Sequence, residues 1–422
     1  MSRPRSPDRR ADLVALVLIV CAVAVLALKW SDEVIWSPDA LFYQTRVEQI
    51  RGASEQEALD KVWNGPLSAG FRADDSQRAR ADQALADPRW VPESYELYAR
   101  RWTVPVLAAA VYPIFGIDSL MAVNIFGTLV FAVALFLLLR LRFDPLASFI
   151  GVAAVLAWPD LRWAFLPLSD AWGLAMLTVT FLIGIKALDG WSRGWLIAWI
   201  AAILVLSVSR ELTPIPVLGA AAVAIVYRWR EPAILAITGI LGTLPAQFLF
   251  PSGKSLNWGF AYAFSGNRIP TDSSWGFVFD HYWNALETGT RQSIDYLFAA
   301  NPVYLESAWP LWPFTIPLFI GLLVMLAASS ATPGDPYLPF MRGAFLGEIL
   351  ILLIAPTFQD LRYEYPLLPM SAVGIALGVG LIRKWITGNG ERTGRDADGD
   401  GDPLARLRRR RGRSVAPRPL RT

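Results

Sequence analysis

The chain has 422 residues, 54% of them hydrophobic and only 18% charged, with a mean hydropathy of +0.38. That is too apolar for one water-soluble core and points to a bilayer as the solvent. The formal net charge is a modest +3, and much of the Lys and Arg lies in the tails and short links rather than on one patch, which excludes a nucleic-acid surface.

Arg3, Arg5, Arg9 and Arg10 precede the first apolar run, Leu13 to Leu28. No small-residue cleavage site follows before Lys29-Trp30-Ser31, so the run is expected to be a retained span rather than a signal peptide. Cys21, the only cysteine, lies within it, which rules out an internal disulfide or a cysteine-based metal cluster. A spanning helix needs roughly 20 apolar residues, with about 17 as a working minimum. The predicted spans are 11–30, 119–140, 145–160, 169–188, 194–210, 213–228, 232–250, 309–328, 343–358 and 366–384, an all-α polytopic bundle of about ten helices with helical outer loops.

With the basic N-terminus inside, alternation puts Arg140 and Arg142, then Lys186 and Arg193, then Arg228 and Arg230, then Arg342 in inner loops. Arg383, Lys384 and the Arg-rich tail also fall inside, so every short inner loop is basic. This topology requires that 102–117 not cross. Pro105 and Pro113 and a length of about 16 residues predict a helix at the outer interface or re-entering. The expected organisation is a basic cytoplasmic N-terminus over 1–10, a membrane body over 11–384 with outer segments at 31–118 and 251–308, and a disordered basic cytoplasmic tail over 385–422 whose arginines meet anionic lipid.

In the first outer segment, Ser37-Pro38-Asp39 predicts a helix start, with Ser37 as N-cap, Pro38 at the first position and Asp39 in the first turn. The helix is expected to stop at Gly52, with Asp39, Tyr43, Arg46 and Ile50 sharing a face, so that Asp39 sits beside an aromatic and a base. Ser54 and Glu57 form a capping box ahead of a second helix, and a third is expected over 75–85. Such short helices suggest a surface platform without a core of its own. Asp39 can be read as a dipole partner at a helix N-terminus or as a catalytic carboxylate.

Ionisable groups within spans are costly unless paired or hydrated. Here they gather in the outer links: Asp170 after Ser169, the adjacent Arg210 and Glu211, and Asp360, Arg362 and Glu364 in Gln359–Tyr365. Ordinary loop charges, with Arg210 paired to Glu211, would account for any one of them. Their convergence with Asp39 on one side suggests an outward polar cavity. Trp258, Tyr262, Trp275, Tyr282, Trp283 and Trp309 in the second outer segment are expected as interfacial anchors, with sugar stacking or lipid guidance as further roles. His281 is the lone histidine and lacks acidic neighbours at metal spacing, so it reads as structural.

Ser37-Pro38-Asp39-Ala40-Leu41-Phe42-Tyr43 after the first span, and Arg362-Tyr363-Glu364-Tyr365-Pro366-Leu367-Leu368-Pro369 before the last, resemble elements of the GT-C superfamily of membrane glycosyltransferases. The Leu168-Ser169-Asp170 and Ser209-Arg210-Glu211 links look similar to recurrent elements of bacterial members, and the resemblance covers residues 11–384. It implies transfer of a sugar from a polyprenyl-phosphate donor to a hydroxyl of an envelope glycan, lipid or protein, on the outer face of the cytoplasmic membrane. Asp39 would be the general base, Arg362 and Arg210 the donor-phosphate ligands, and Tyr43, Asp170, Glu211, Asp360 and Tyr363 pocket residues. The acidic pair of some members is single here, Asp39 standing between Pro38 and Ala40, so a divalent metal is an option and no ligand set is assigned. The competing expectations are a secondary transporter or lipid flippase, which would place its charges near the bilayer midplane and show inverted repeats, and a non-catalytic envelope-assembly partner.

Overall fold

The computed structural model describes residues 9–31, 37–65, 67–68, 86–98, 101–249, 254–266, 268–298, 311–329, 333–354 and 365–397. Among these residues every regular element is helical and there is no strand. The helices are α1 Arg9–Ser31, α2 Pro38–Ile50, α3 Glu55–Trp63, α4 Trp90–Tyr95, α5 Thr103–Phe115, α6 Ser119–Arg140, α7 Pro145–Leu156, α8 Asp170–Asp189, α9 Arg193–Ser209, α10 Pro214–Tyr227, α11 Arg230–Leu249, α12 Leu256–Phe264, α13 Trp275–Phe298, α14 Trp312–Ala327, α15 Tyr337–Ile354 and α16 Leu368–Ala397. A short 3-10 helix at Pro159–Ala164 stands between α7 and α8.

Among the described residues, five stretches are long and apolar enough to cross a membrane: Arg9–Trp30, Thr103–Arg140, Asp170–Asp189, Tyr337–Ile354 and Tyr365–Ile386. Large apolar side chains face outward along several helices, with Ile225 77% and Phe248 81% exposed. Such a surface suits lipid rather than water. Within Thr103–Arg140, Gly116 adopts φ 57°, a left-handed conformation that breaks the stretch into α5 and α6.

Helix directions follow from the contacts. Asn124, near the start of α6, donates to the carbonyls of Leu166 and Leu168 just before α8, at 2.5 and 2.6 Å. Arg142, just past the end of α6, bonds Asp189 at the end of α8. The two helices therefore run the same way, with α7 returning between them. Antiparallel α10 and α15 meet through Gly347 on Pro214 and Ile215 and through Gly219 on Phe340. At Gly343 a Cβ would collide with Ala222 and the Leu218 carbonyl, so only glycine permits this approach.

Both ends of α5 lie at one end of the bundle. The Trp102 N–H donates to the Val208 carbonyl in the last turn of α9 at 2.9 Å, while Phe115 leads through Gly116 into the start of α6. The helices of the first and second outer segments differ from the expected platform. Leu41, Phe42, Leu59, Val62, Trp63, Trp90, Tyr95, Trp258 and Tyr262 form a buried cluster, so α2, α3, α4 and α12 do share a small aromatic core. Six of those nine side chains are aromatic, and large rings bury enough area each to make a core from short helices.

Helix α13 has three sectors. Val278, Tyr282, Ala285 and Gly289 face the protein, exposed Trp275, Phe279 and Trp283 form a second row, and exposed Asp280, Glu287, Arg291 and Asp295 a third. Tyr282 ties the helix down by donating to the Leu353 carbonyl at 2.6 Å. Of the expected anchors, Trp258 and Tyr262 are core residues, because they face α2 and α4 rather than the surface. His281 is exposed and shares a 2.9 Å hydrogen bond with the Phe277 carbonyl; Trp309 lies outside the described residues. The expected helix over 75–85 also lies outside them.

The chain divides after Leu377. In the second unit, from Gly378, the backbone is helical to Ala397. Once a helix is nucleated by an apolar segment, continuing it adds one hydrogen bond per residue fixed, so a polar continuation costs little. Residues 398–422 lie outside the described residues.

Candidate functional site

Helix α2 begins as its sequence dictates. Ser37 is extended and its hydroxyl accepts the Ala40 N–H at 3.4 Å, Pro38 occupies the first turn, and Asp39 follows it. Every residue of α2 from Ala40 to Thr45 is buried, so the helix is enclosed on all sides there, and Asp39 is left half-buried at its tip.

The Tyr98 hydroxyl donates to Asp39 Oδ1 at 2.6 Å. Tyr98 ends the turn after α4, and its ring stacks on Phe42 at 4.9 Å and meets the edge of Tyr43 at 5.5 Å. Burial, and then the charge of Asp39, push the Tyr98 phenol well above its ordinary value, so it remains a donor across physiological pH. Tyr43, on the next turn of α2, shares a 2.7 Å hydrogen bond with the Ser169 hydroxyl and accepts one from Arg101 Nη1 at 3.0 Å. Burial raises its phenol as well.

Arg101 extends the network to the link between α9 and α10, pairing with Glu211 Oε2 at 3.2 Å. Arg210 pairs with Asp170, the first residue of α8. Burial opposes the charge of Arg210, but Asp170 holds its guanidinium above the usual range. Burial alone would raise the Glu211 carboxyl; Arg101 overrides it and leaves the group below its ordinary value. The Ser209 hydroxyl donates to Thr103 Oγ1 at 2.8 Å, fastening the same end of α9 to α5.

Five predicted residues, Asp39, Tyr43, Asp170, Arg210 and Glu211, thus stand on linked hydrogen bonds, ion pairs and ring contacts at one end of the bundle. Arg362, Asp360 and Tyr363 lie outside the described residues. Two details differ from expectation. Arg210 and Glu211 do not neutralise each other, because the chain is extended at Arg210 and successive side chains then point opposite ways, one to Asp170 and one to Arg101. Arg46 is not the base of the network: it donates to Gln49 and lies over the rings of Tyr95 and Trp102, which takes it into the aromatic core.

Tyr98, Arg101 and Ser169 are functional candidates that sequence reasoning missed. One signal was available for Arg101. On the topology expected from the sequence it adjoins an outward apolar helix, where the positive-inside rule disfavours arginine, so its position calls for a local reason.

The arrangement offers an oriented carboxylate and two partly buried guanidiniums. Among the described residues no group of three His, Cys, Asp or Glu side chains could hold a metal ion. No protein-family model matches the chain, and no curated protein matches its sequence.

Proposed function

We propose that the chain is an integral membrane glycosyltransferase of the GT-C type, which moves a sugar from a polyprenyl-phosphate donor to an acceptor hydroxyl on the outer face of the cytoplasmic membrane. The carrying observation is the convergence of α2, the turn after α4, the start of α8 and the α9–α10 link around Asp39, Tyr98, Tyr43, Arg101, Asp170 and Arg210.

The five long apolar stretches, the shorter helices α7, α9, α10 and α14, and α11 together support about ten crossings, with α5 lying at the outer interface and both termini inside. Parallel α6 and α8 with α7 between them fit that alternation. The α5 helix, held at the same end of the bundle by both its termini, fits the requirement that 102–117 not cross. On this topology the network faces outward, where nucleotide sugars are absent and a lipid-borne donor is needed.

In the reaction, Asp39 takes the proton of the acceptor hydroxyl as its oxygen attacks the anomeric carbon. The bond from that carbon to the phosphate oxygen breaks, and the phosphate leaves as an anion that needs positive charge rather than a proton. Single displacement inverts the anomeric centre. Arg101 is the better placed cation among the network residues, since its partner Glu211 is half exposed whereas Arg210 is matched by buried Asp170. The transporter reading lacks such support: the ionic network is at one end of the bundle instead of midway along it.

The test is transfer by purified protein from a panel of polyprenyl-phosphate sugars, comparing the parent with Asp39→Asn. Transfer by the parent and its loss in the variant is the expected result. Equal rates would remove Asp39 from the chemistry.

A further inference from the structure

The link Trp158–Ser169 is almost wholly buried, although it is a connection between two helices. Its backbone is held by Thr128, which donates to the Ala164 carbonyl at 3.1 Å, and by Asn124, which donates to those of Leu166 and Leu168. Its last residue, Ser169, bonds Tyr43 in the candidate site. Within this link lies Arg162, only 5% exposed.

The guanidinium of Arg162 lies 5.4 Å from the centre of the Trp163 ring. Among the described residues its Nε and Nη2 have no hydrogen-bond partner. Those two atoms form one edge of the guanidinium, the fork that matches two oxygens of a carboxylate or phosphate. In three other arginines of this protein the same edge is filled by a carboxylate. Arg89 grips Asp87 through Nε and Nη2 at 3.0 and 2.8 Å, Arg140 grips Asp12 at 2.6 and 3.3 Å, and Arg142 grips Asp335 at 3.1 and 2.9 Å. Arg162 is more buried than any of these, where an unmatched fork is most costly. Its acidic neighbour Asp160 directs Oδ1 to the Trp163 indole N–H at 3.1 Å. A cation retained in a dry link, with its bidentate edge unfilled, has the chemistry of an oxyanion receptor.

We infer that the Nε/Nη2 fork of Arg162 is a binding site for a phosphate group, delivered by the lipid donor that the proposed function requires. The inference rests on that reading for the identity of the lipid, but the fork itself does not depend on it. It also gives a reason for an arginine in an outward link, where the positive-inside rule disfavours one.

The test uses the full chain in nanodiscs and omits sugar and acceptor, so that it reads phosphate binding apart from transfer. Polyprenyl phosphate, phosphatidylglycerol and inorganic phosphate are titrated separately against the parent, Arg162→Gln and Arg162→Lys, with the shift in Tm and the apparent Kd as readouts. Polyprenyl phosphate should raise the parent's Tm, and Arg162→Gln should weaken it by about 10- to 100-fold through loss of two charge-assisted bonds. Arg162→Lys should fall between, since it keeps the charge and loses the fork. An equal response to phosphatidylglycerol or to inorganic phosphate would uphold the phosphate site while removing the donor as its source. The inference is overturned if Arg162→Gln binds polyprenyl phosphate as tightly as the parent. It is likewise overturned if that variant melts lower without ligand and keeps the full ligand shift, because the partner would then be a carboxylate of this chain. Parent-like transfer and KM in Arg162→Gln would sink this inference and leave the transferase standing. Failure of the parent to bind any of the three probes would sink both.

Discussion

The two ends of the bundle arrange their charged side chains in opposite ways. Helix α8 runs from Asp170 to Asp189, about 30 Å at 1.5 Å per residue, so its two ends report on two separate environments. At the Asp189 end the charges close on one another. Arg142 bridges Asp189 and Asp335, Arg140 holds Asp12 on α1, and Tyr227 donates to the Asp335 carbonyl at 3.1 Å. At the Asp170 end, Arg101 keeps Nε without a partner among the described residues, Glu211 has half of its side chain exposed, and Asp39 is held at the tip of a helix by a tyrosine. A closed ionic network of matched geometry fastens elements together, whereas one with a solvent-facing carboxylate and unused donors can receive a ligand.

Substitutions at the two ends should therefore fail in different ways. The largest effect is expected for Asp39→Asn, a fall in transfer of about 10²- to 10⁴-fold, the usual contribution of a positioned base. Its Tm should stay close to that of the parent, because the amide still accepts the Tyr98 hydroxyl. At the other end, Arg142→Ala should cost about 2–3 kcal/mol of stability, somewhat less than a fully buried pair, since Asp189 and Asp335 both retain some water contact. Its transfer rate per folded molecule should match that of the parent. If Arg142→Ala lost rate without losing Tm, the division between clasp and site would be wrong. Tyr98→Phe should lower transfer about tenfold, the value of one hydrogen bond to a charged group, with little change in Tm. A drop in Tm as large as that of Arg142→Ala would make Tyr98 a structural residue.

Much of this contrast could be read in the sequence, and the part that could not has a physical cause. Asp39 was legible because Ser37 and Pro38 fix a helix start whatever surrounds them, and the capping box at Ser54 and Glu57 was legible for the same reason. Asp170, Arg210 and Glu211 stood out as ionisable groups between apolar runs. Their partners did not, because pairing at long sequence separation is decided by packing: Asp170 meets Arg210, and Glu211 meets Arg101, across helices the sequence does not orient. Tyr98 lies in a stretch with no periodicity, and it is singled out by contacts made in the fold, its hydrogen bond to Asp39 and its ring contacts with Phe42 and Tyr43. The aromatic core under α2 was missed since Trp and Tyr beside a membrane suggest the interface, and nothing in composition separates an interfacial ring from a buried one.

The smallest expected effect tests the most exposed link of the open network. Glu211 keeps 50% of its side chain in solvent, so its pair with Arg101 should contribute little, within the roughly 0–1 kcal/mol of surface pairs. Arg101 nevertheless holds the Glu211 carboxyl below its ordinary value of 4.5, and that sign fixes the pH dependence. A carboxylate whose pKa is lower folded than unfolded binds fewer protons in the native state near that pH. Its contribution is therefore full above about 4.5 and fades as pH falls through the lower folded value. The Tm difference between the parent and Glu211→Gln should be small and constant from about pH 8 down to pH 5, then shrink toward zero in more acidic buffer. A difference that instead vanished near neutrality would mean the carboxyl is protonated there, that Arg101 is not its partner, and that Arg101 carries a charge open to an arriving phosphate.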